Sequence, residues 1–209
     1  PLFLESTLVD EELIKGVNKE FVEERLNKKN ICILYLARLE KTKGIYEAID
    51  TYSIIKAKHP NAKMIIAGDG REENSVKKYI SDKRIKDITL LGFVEGETKR
   101  QAYQNGDIYL FPSYFEGMPN SVLEAMAFGL PVVTRAVGGL VDFFKDERNG
   151  FITESYDPEV LSSFVERIIS NEILAKEIAL NNYQYARDNF TSAVVVKRIE
   201  HIFNQIINK

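Results

Sequence analysis

The chain has 209 residues, which suffices for one large domain whose hydrophobic core needs neither disulfides nor metals. Hydrophobic residues make up 44% and charged residues 28% of the sequence, a balance that excludes disordered and low-complexity proteins. The net charge is −3, so we expect no nucleic-acid partner. No apolar run reaches the ~18 residues of a membrane span and no signal peptide is visible, which predicts a cytoplasmic protein.

Six short apolar runs rich in β-branched residues predict β-strands. Several of them are apolar without alternation, as expected for parallel strands that are buried on both faces. They lie at 31–37, 64–67, 88–91, 107–111, 131–134 and 151–153.

Helical patterns alternate with these runs. In 44–58 the apolar residues recur every three or four positions, and a second helix at 121–128 follows Pro119 and ends at Gly129. Further helices are predicted at 72–81, 97–104, 158–170, 172–188 and 192–208. Regular alternation of strand and helix means parallel βαβ units, so we predict an α/β fold with a doubly wound, Rossmann-like sheet and extra C-terminal helices.

Glycines and charged residues follow five of the predicted strands. The carboxyl ends of parallel strands share one edge of the sheet, where open α/β folds bind their ligands. The residues are Arg38 after the first strand, 68–70 after the second, Gly92 and Phe93 after the third, 112–116 after the fourth and 135–139 after the fifth. The sequence therefore predicts a binding cleft at this edge.

Several of these residues suit a phosphate. Arg38 and Lys43 flank a short loop before the first predicted helix, and both side chains bind oxyanions. The helix that begins near Asn120 and Ser121 presents backbone N–H groups at its N-terminus, which attract anions. The alternative for Arg38 and Lys43 is a solvated pair on a turn.

Motif and composition checks narrow the class further. Residues 68–73 begin like a dinucleotide fingerprint, but they lack its third glycine and follow the second strand. The sequence contains neither a P-loop nor a D-x-D motif. Cys32 is the one cysteine and His59 and His201 lie far apart, so no metal site is predicted. We expect both histidines to be structural or solvated.

Two carboxylates, Glu116 and Glu124, stand eight positions apart, the first on a strand-to-helix turn and the second within the helix. A carboxylate in a phosphate-binding cleft is unfavourable unless it accepts hydrogen bonds from hydroxyls. A sugar and a ribose supply hydroxyls, so the pair indicates a nucleotide sugar. The alternative is that both carboxylates are solvated on a turn and on a helix face.

Six motifs in order then carry a family resemblance. They lie at 37–44, 67–70, 91–94, 112–127, 129–133 and 137–139. In these motifs the chain resembles the C-terminal, donor-binding half of a GT-B glycosyltransferase of family four, the retaining group.

This resemblance implies a role for most of the candidate residues. Arg38 and Lys43 would hold the donor diphosphate, Glu124 would bind the ribose hydroxyls, and Glu116 would lie against the donor sugar and support the reacting centre. Residues 117–121 would approach the phosphate and sugar with their backbone amides, and two residues after the third strand would lie beside the base. The implied catalytic residues are Glu116, Arg38 and Lys43. The implied donor-binding residues are Arg38, Lys43, Gly70, Phe93, Val94, Gly117, Met118, Pro119, Asn120, Ser121 and Glu124.

The resemblance also implies partners and domain limits. The enzyme would transfer a hexose from a UDP- or GDP-sugar without metal or other cofactor. The acceptor, a glycan or a lipid-linked sugar, would be held by a preceding domain that this chain lacks, and any peripheral membrane contact would be made by that domain. Residues 1–29 would be a linker or a remnant of that domain, 30–188 the nucleotide-sugar-binding domain, and 189–209 a crossover helix.

On this interpretation the 209 residues alone would be inactive in transfer. Two alternatives stay open. One is a non-catalytic nucleotide-sugar-binding module. The other is a different GT-B enzyme, either an epimerase, which the E-x7-E spacing argues against, or a phosphorylase, for which no conspicuous pyridoxal-phosphate lysine motif is present.

Overall fold

A computed structural model of the chain describes residues 8–25 and 31–207. In these residues six strands form one parallel sheet in the order β3-β2-β1-β4-β5-β6. The strands are β1 Cys32–Leu36, β2 Lys63–Ala67, β3 Ile88–Gly92, β4 Ile108–Phe111, β5 Val132–Arg135 and β6 Gly150–Thr153. The predicted doubly wound, Rossmann-like sheet is confirmed, and each strand begins and ends within one residue of its prediction.

Nine α-helices occur in the described residues. They are α1 Lys19–Arg25, α2 Ile45–Lys58, α3 Glu73–Asp82, α4 Gly96–Asn105, α5 Asn120–Ala127, α6 Leu140–Phe143, α7 Pro158–Ser170, α8 Glu172–Asn189 and α9 Ser192–Ile207. The sequence did not predict α1 or α6, because helices of seven and four residues are too short to display a helical period.

The core lies on both faces of the sheet. Strands β4 and β5 are buried at every residue, whereas the edge strand β3 alternates between half-buried and exposed positions. A parallel sheet covered by helices on both faces has this pattern, since only its edge strands meet solvent. The carboxyl ends of the central strands β1 and β4 are therefore held in place by the buried part of the sheet.

The described part of the N-terminal segment packs against the hydrophobic core of the domain. Its apolar side chains Val9, Leu13, Ile14, Val17 and Val22 are buried. The buried guanidinium of Arg25 donates to the carbonyls of Phe128 (2.7 Å) and Gly129 (2.5 Å) at the end of α5. Burial lowers the pKa of Arg25 to about 10. The boundary predicted at residue 29 stays a prediction, because residues 26–30 lie outside the described part of the chain.

We also compared the helices of the described ranges with the requirements for a membrane-spanning helix. None of them combines the length and the apolar character that a membrane crossing requires.

Candidate functional site

A cleft of about 320 Å³ opens at the carboxyl edge of the sheet, beyond β1 and β4. Its walls include most of the predicted site residues, which the parallel topology brings to one edge. Those residues are Arg38, Lys43, Glu116, Met118, Pro119, Asn120, Ser121 and Glu124.

A second cavity of about 410 Å³ adjoins the cleft. Phe93 and Val94 line it, as does Leu13 of the N-terminal segment. Both cavities share Lys99 and Glu124 as lining residues. The residues predicted to bind phosphate thus line the first cavity, and the residues predicted to lie beside a base line the second. Lys99 and Glu124 form the wall between the two.

Gly70 and Gly117 line neither of these two cavities. Gly70 packs against the loop that carries Arg38, because a Cβ at Gly70 would lie 2.5 Å from the Leu39 carbonyl oxygen. Gly117 accepts a hydrogen bond of 2.7 Å from the Gly139 amide through its carbonyl. Both glycines therefore shape the loops around the cleft, and the binding roles predicted for them stay predictions.

Lys43 and Glu116 meet inside the cleft. The Lys43 ammonium donates to Glu116 Oε1 at 2.7 Å, and the two side chains are 18% and 10% exposed. The Ser113 hydroxyl donates to the same carboxylate oxygen at 2.6 Å. Glu116 therefore accepts two hydrogen bonds at one oxygen, while Oε2 has no hydrogen-bond partner within the described residues.

The turn that carries Lys43 is fixed by close packing. Lys43 ends a short 3-10 turn, and the buried Tyr35 hydroxyl donates to its carbonyl at 3.1 Å. Gly44 follows with φ of +70°, and a Cβ there would lie 2.1 Å from the Pro112 carbonyl oxygen. Only glycine fits this approach of the Lys43 turn to the loop after β4.

Glu124 is held more deeply. Its side chain is 9% exposed, and it lies in α5, where residues 122–127 are all buried. The Lys99 ammonium donates to Oε1 at 2.7 Å and the Tyr103 hydroxyl donates to Oε2 at 2.7 Å. Burial, followed by the charge of Glu124, raises the pKa of Tyr103 well above its ordinary value, so this phenol stays a donor at neutral pH.

Arg38 differs from the two lysines because its side chain is 70% exposed. Its guanidinium lies 3.4 Å from Glu40 Oε1, and the guanidinium of Arg71 lies 3.5 Å from the same oxygen. Surface pairs of this kind contribute little to stability. Arg38 is thus an exposed, weakly paired cation in the wall of the cleft.

The first turn of α5 lies in the cleft wall. Asn120 and Ser121 belong to this turn, and no acidic residue occupies it. The backbone N–H groups of a first helical turn have no partner within the helix and carry partial positive charge. Together with Lys43 and Arg38, they make this part of the cleft suited to an anion.

Sequence reasoning missed Lys99, Tyr103 and Ser113. Lys99 and Tyr103 are four positions apart in α4 and so lie on one face of that helix. That spacing, in a helix that starts soon after β3, is a signal that the side chains approach the carboxyl edge. Ser113 carried no comparable signal beyond its position between β4 and Glu116.

No three His, Cys, Asp or Glu side chains converge as a possible metal site in residues 8–25 and 31–207. The carboxylates of the cleft are instead paired with lysines. The expectation that no metal is needed stays a prediction.

Two relatives resemble the chain over most of its length. The capsular polysaccharide biosynthesis glycosyltransferase CapM of Staphylococcus aureus is 29% identical over 193 residues, which are 90% of this chain and 50% of CapM. The amylovoran biosynthesis glycosyltransferase AmsK of Erwinia amylovora is 27% identical over 181 residues, which are 83% of this chain and 44% of AmsK. The chain therefore spans about half the length of these relatives.

Solved structures share the fold. Anabaena HepE in complex with UDP superposes with a TM-score of 0.78 at 23% identity, covering 96% of this chain and 56% of HepE. The C-terminal domain of LpcC, a glycosyl transferase group 1 family protein from Francisella tularensis, gives a TM-score of 0.74 at 22% identity. That match covers 88% of this chain and 99% of the LpcC domain.

The sequence model of one protein family, described as Glycosyl transferases group 1, matches residues 17–185. This range includes every residue that lines the 320 Å³ cleft. The chain therefore belongs to the glycosyl transferases group 1 family.

Proposed function

We propose that this chain is the donor-binding half of a retaining glycosyltransferase, which transfers a hexose from a nucleoside-diphosphate sugar to a glycan or a lipid-linked acceptor. The observation that carries the proposal is the cleft in which two carboxylates, Glu116 and Glu124, each pair with a lysine. A nucleotide sugar offers what such a cleft demands, namely phosphates for the cations and hydroxyls for the carboxylates.

In this proposal each part of the donor has its own partners. The diphosphate lies between Arg38, Lys43 and the first turn of α5, and the ribose hydroxyls donate to Glu124. The sugar lies against Glu116. The base occupies the adjoining cavity beside Phe93, whose side chain is 66% exposed and available for stacking.

The same cations support the chemical step. Cleavage of the bond between the sugar and the diphosphate leaves negative charge on the departing phosphate. Lys43, Arg38 and the helix amides stabilise that charge best in a site from which water is excluded. Lys43 reaches the phosphate by giving up its hydrogen bond to Glu116. Oε1 of that carboxylate keeps its hydrogen bond from Ser113 and can then accept a second one from a sugar hydroxyl.

The acceptor is proposed to bind elsewhere. The chain spans about half the length of CapM and AmsK, and the names of these relatives refer to capsular polysaccharide and amylovoran biosynthesis. We infer that the remaining half of the enzyme holds a surface-polysaccharide acceptor or its lipid-linked precursor. The 209 residues alone then hydrolyse a donor slowly at most, because positioning of both substrates supplies about 7–11 kcal/mol of the barrier.

Isothermal titration calorimetry with UDP, GDP and ADP, each with and without EDTA, tests donor binding. We expect one nucleotide to bind with an affinity that EDTA leaves unchanged. Glu124→Ala is expected to weaken that binding about 10- to 100-fold, since hydrogen bonds to a charged group contribute about 1.5–3 kcal/mol. Binding that disappears in EDTA would contradict the metal-free proposal.

Two further variants separate the roles of the carboxylates. Glu116→Ala is expected to spare the bare nucleotide and to weaken only the nucleotide sugar. Glu177→Ala, at an exposed position of α8, is the control and is expected to change neither affinity. If Glu116→Ala and Glu124→Ala weaken the bare nucleotide equally, the proposed division of roles is wrong.

Transfer is tested separately. The chain is incubated with nucleotide sugars and acceptor glycans, and nucleotide release and glycan mass are followed. We expect no transfer until the other half of the enzyme is supplied, in the same chain or as a second one. Rapid transfer by the chain alone would contradict the two-part arrangement.

A further inference from the structure

Arg135 is a buried cation that has no role in the proposed function. It is the last residue of β5 and is 5% exposed. No carboxylate forms a salt bridge with it within the part of the chain that the structure describes. A buried guanidinium is unfavourable unless its hydrogen bonds are satisfied and its charge is balanced, so its contacts indicate what it holds in place.

Those contacts join three segments that are distant in sequence. The guanidinium donates through Nη1 to the Ser113 carbonyl at 3.2 Å and through Nη2 to the Glu154 carbonyl at 2.9 Å. Its central carbon lies 3.4 Å from the centroid of the Tyr156 ring and 5.6 Å from that of Tyr114. Arg135 thus fixes the start of the loop after β4 to the segment that follows β6.

Ser113 connects this clamp to the cleft. Its carbonyl accepts from Arg135, and its hydroxyl donates to Glu116 Oε1 at 2.6 Å. The next amide, that of Tyr114, donates to the Thr42 carbonyl at 2.9 Å. The position of Glu116 therefore depends on a backbone segment that Arg135 holds from one side and the Lys43 turn holds from the other.

We propose that Arg135 is a positioning residue for Glu116, acting through Ser113, and that Tyr156 supports it by stacking. The proposal rests on the proposed function, because it assumes that Glu116 contacts the donor sugar. It adds a residue outside the cleft wall to the determinants of donor-sugar binding. Arg135 touches neither the nucleotide nor the sugar, so its loss affects the sugar end of the donor and leaves the nucleotide end in place.

The test compares three variants of the full chain. Arg135→Lys keeps the positive charge but cannot donate to two carbonyls in a planar fork. Tyr156→Leu removes the stacking partner at a position that is 45% exposed, so this variant folds even if Arg135→Lys does not. Arg167→Lys is the matched control, since Arg167 also lies over an aromatic ring (Phe151, 4.6 Å) but is on α7 and pairs with Glu147.

Two measurements are made on each variant. Hydrogen–deuterium exchange of the peptide covering 112–118 reports whether the loop is held. Calorimetry with UDP, UDP-glucose, GDP and GDP-mannose gives the ratio of nucleotide-sugar affinity to bare-nucleotide affinity. We expect Arg135→Lys and Tyr156→Leu to speed exchange about tenfold and to lower the ratio about three- to tenfold, while Arg167→Lys changes neither.

The outcomes separate the two proposals. Unchanged exchange in 112–118 in both variants overturns the positioning role, whatever the affinities do. Glu116→Gln is measured as a fourth variant, as a reference for the proposed function. If it lowers the affinity ratio, faster exchange without a lower ratio in Arg135→Lys and Tyr156→Leu also overturns the positioning role. If Glu116→Gln leaves the ratio unchanged, or no nucleotide sugar binds, the proposed function fails instead, and exchange still decides whether Arg135 holds the loop.

Discussion

Glu116 and Glu124 face the same cleft from two different kinds of structure. Glu124 lies in α5, within a run of buried helical residues, and both of its partners come from α4. Glu116 lies on the loop between β4 and α5, and its partner Lys43 comes from a turn 73 positions away. The comparison teaches that helix packing fixes one carboxylate, whereas the other depends on contacts between distant segments.

The largest effect on the loop that carries Glu116 is expected from a substitution at Gly138, which contacts this loop closely. Its φ is +54°, and a Cβ there would lie 2.1 Å from the Gly117 carbonyl oxygen. We expect Gly138→Ala to lower the free energy of unfolding by about 2–4 kcal/mol, because left-handed strain and a backbone clash add together. Urea denaturation measures this change.

Gly96→Ala is the matched control for Gly138→Ala. Gly96 has φ of +48°, but apart from its chain neighbours and the backbone of its own helix no atom of the described residues lies within 4 Å of the position that a Cβ would take there. This variant therefore carries the strain without the clash, and we expect a loss of only about 1 kcal/mol. Equal losses in the two variants would show that the close approach of Gly138 to the Glu116 loop is unimportant.

Tyr103→Phe tests the helix side of the comparison. It removes the hydroxyl that donates to Glu124 Oε2 at 2.7 Å and leaves the ring in place. We expect a loss of about 1.5–3 kcal/mol in the free energy of unfolding, the usual contribution of a hydrogen bond to a charged group. A loss below about 0.5 kcal/mol, the size of a neutral surface substitution, would mean that α5 packing alone holds Glu124.

The pH dependence of stability gives a second test of the contact between Tyr103 and Glu124. Because burial raises the pKa of Tyr103, its contribution to stability is present below about pH 10 and is lost as the pH rises through the folded-state pKa. Tyr103→Phe removes this dependence. Between about pH 10 and 11 we expect the wild-type chain to lose more stability than the variant, which thermal denaturation at the two pH values would reveal.

Arg38→Gln is expected to have the smallest effect on stability. Its guanidinium is mostly exposed and pairs with Glu40 at 3.4 Å, so we expect a change within about 0.5 kcal/mol. Nucleotide affinity is nevertheless expected to fall about tenfold, because the proposed phosphate contact is charge-assisted. A stable variant with unchanged affinity would remove Arg38 from the proposed site.

The fold was predictable from the sequence because its signals are local. Each strand is a short apolar run and each long helix repeats its apolar residues at helical spacing, so the parallel sheet followed from their alternation. The same topology predicted that Arg38, Lys43, Glu116 and Glu124 share one edge. Only α1 and α6, which are shorter than a helical period requires, were missed.

Tertiary structure alone decided which side chains pair inside that cleft. The pairing of Glu124 with Lys99, the link from Arg135 through Ser113 to Glu116, and the end of α5 held by Arg25 all join residues from different elements. No local pattern encodes such contacts, because they depend on distances set by packing of the whole sheet and its helices. The sequence by itself thus determined the architecture and the edge at which the site lies, and the packed structure decided which carboxylate each cation holds.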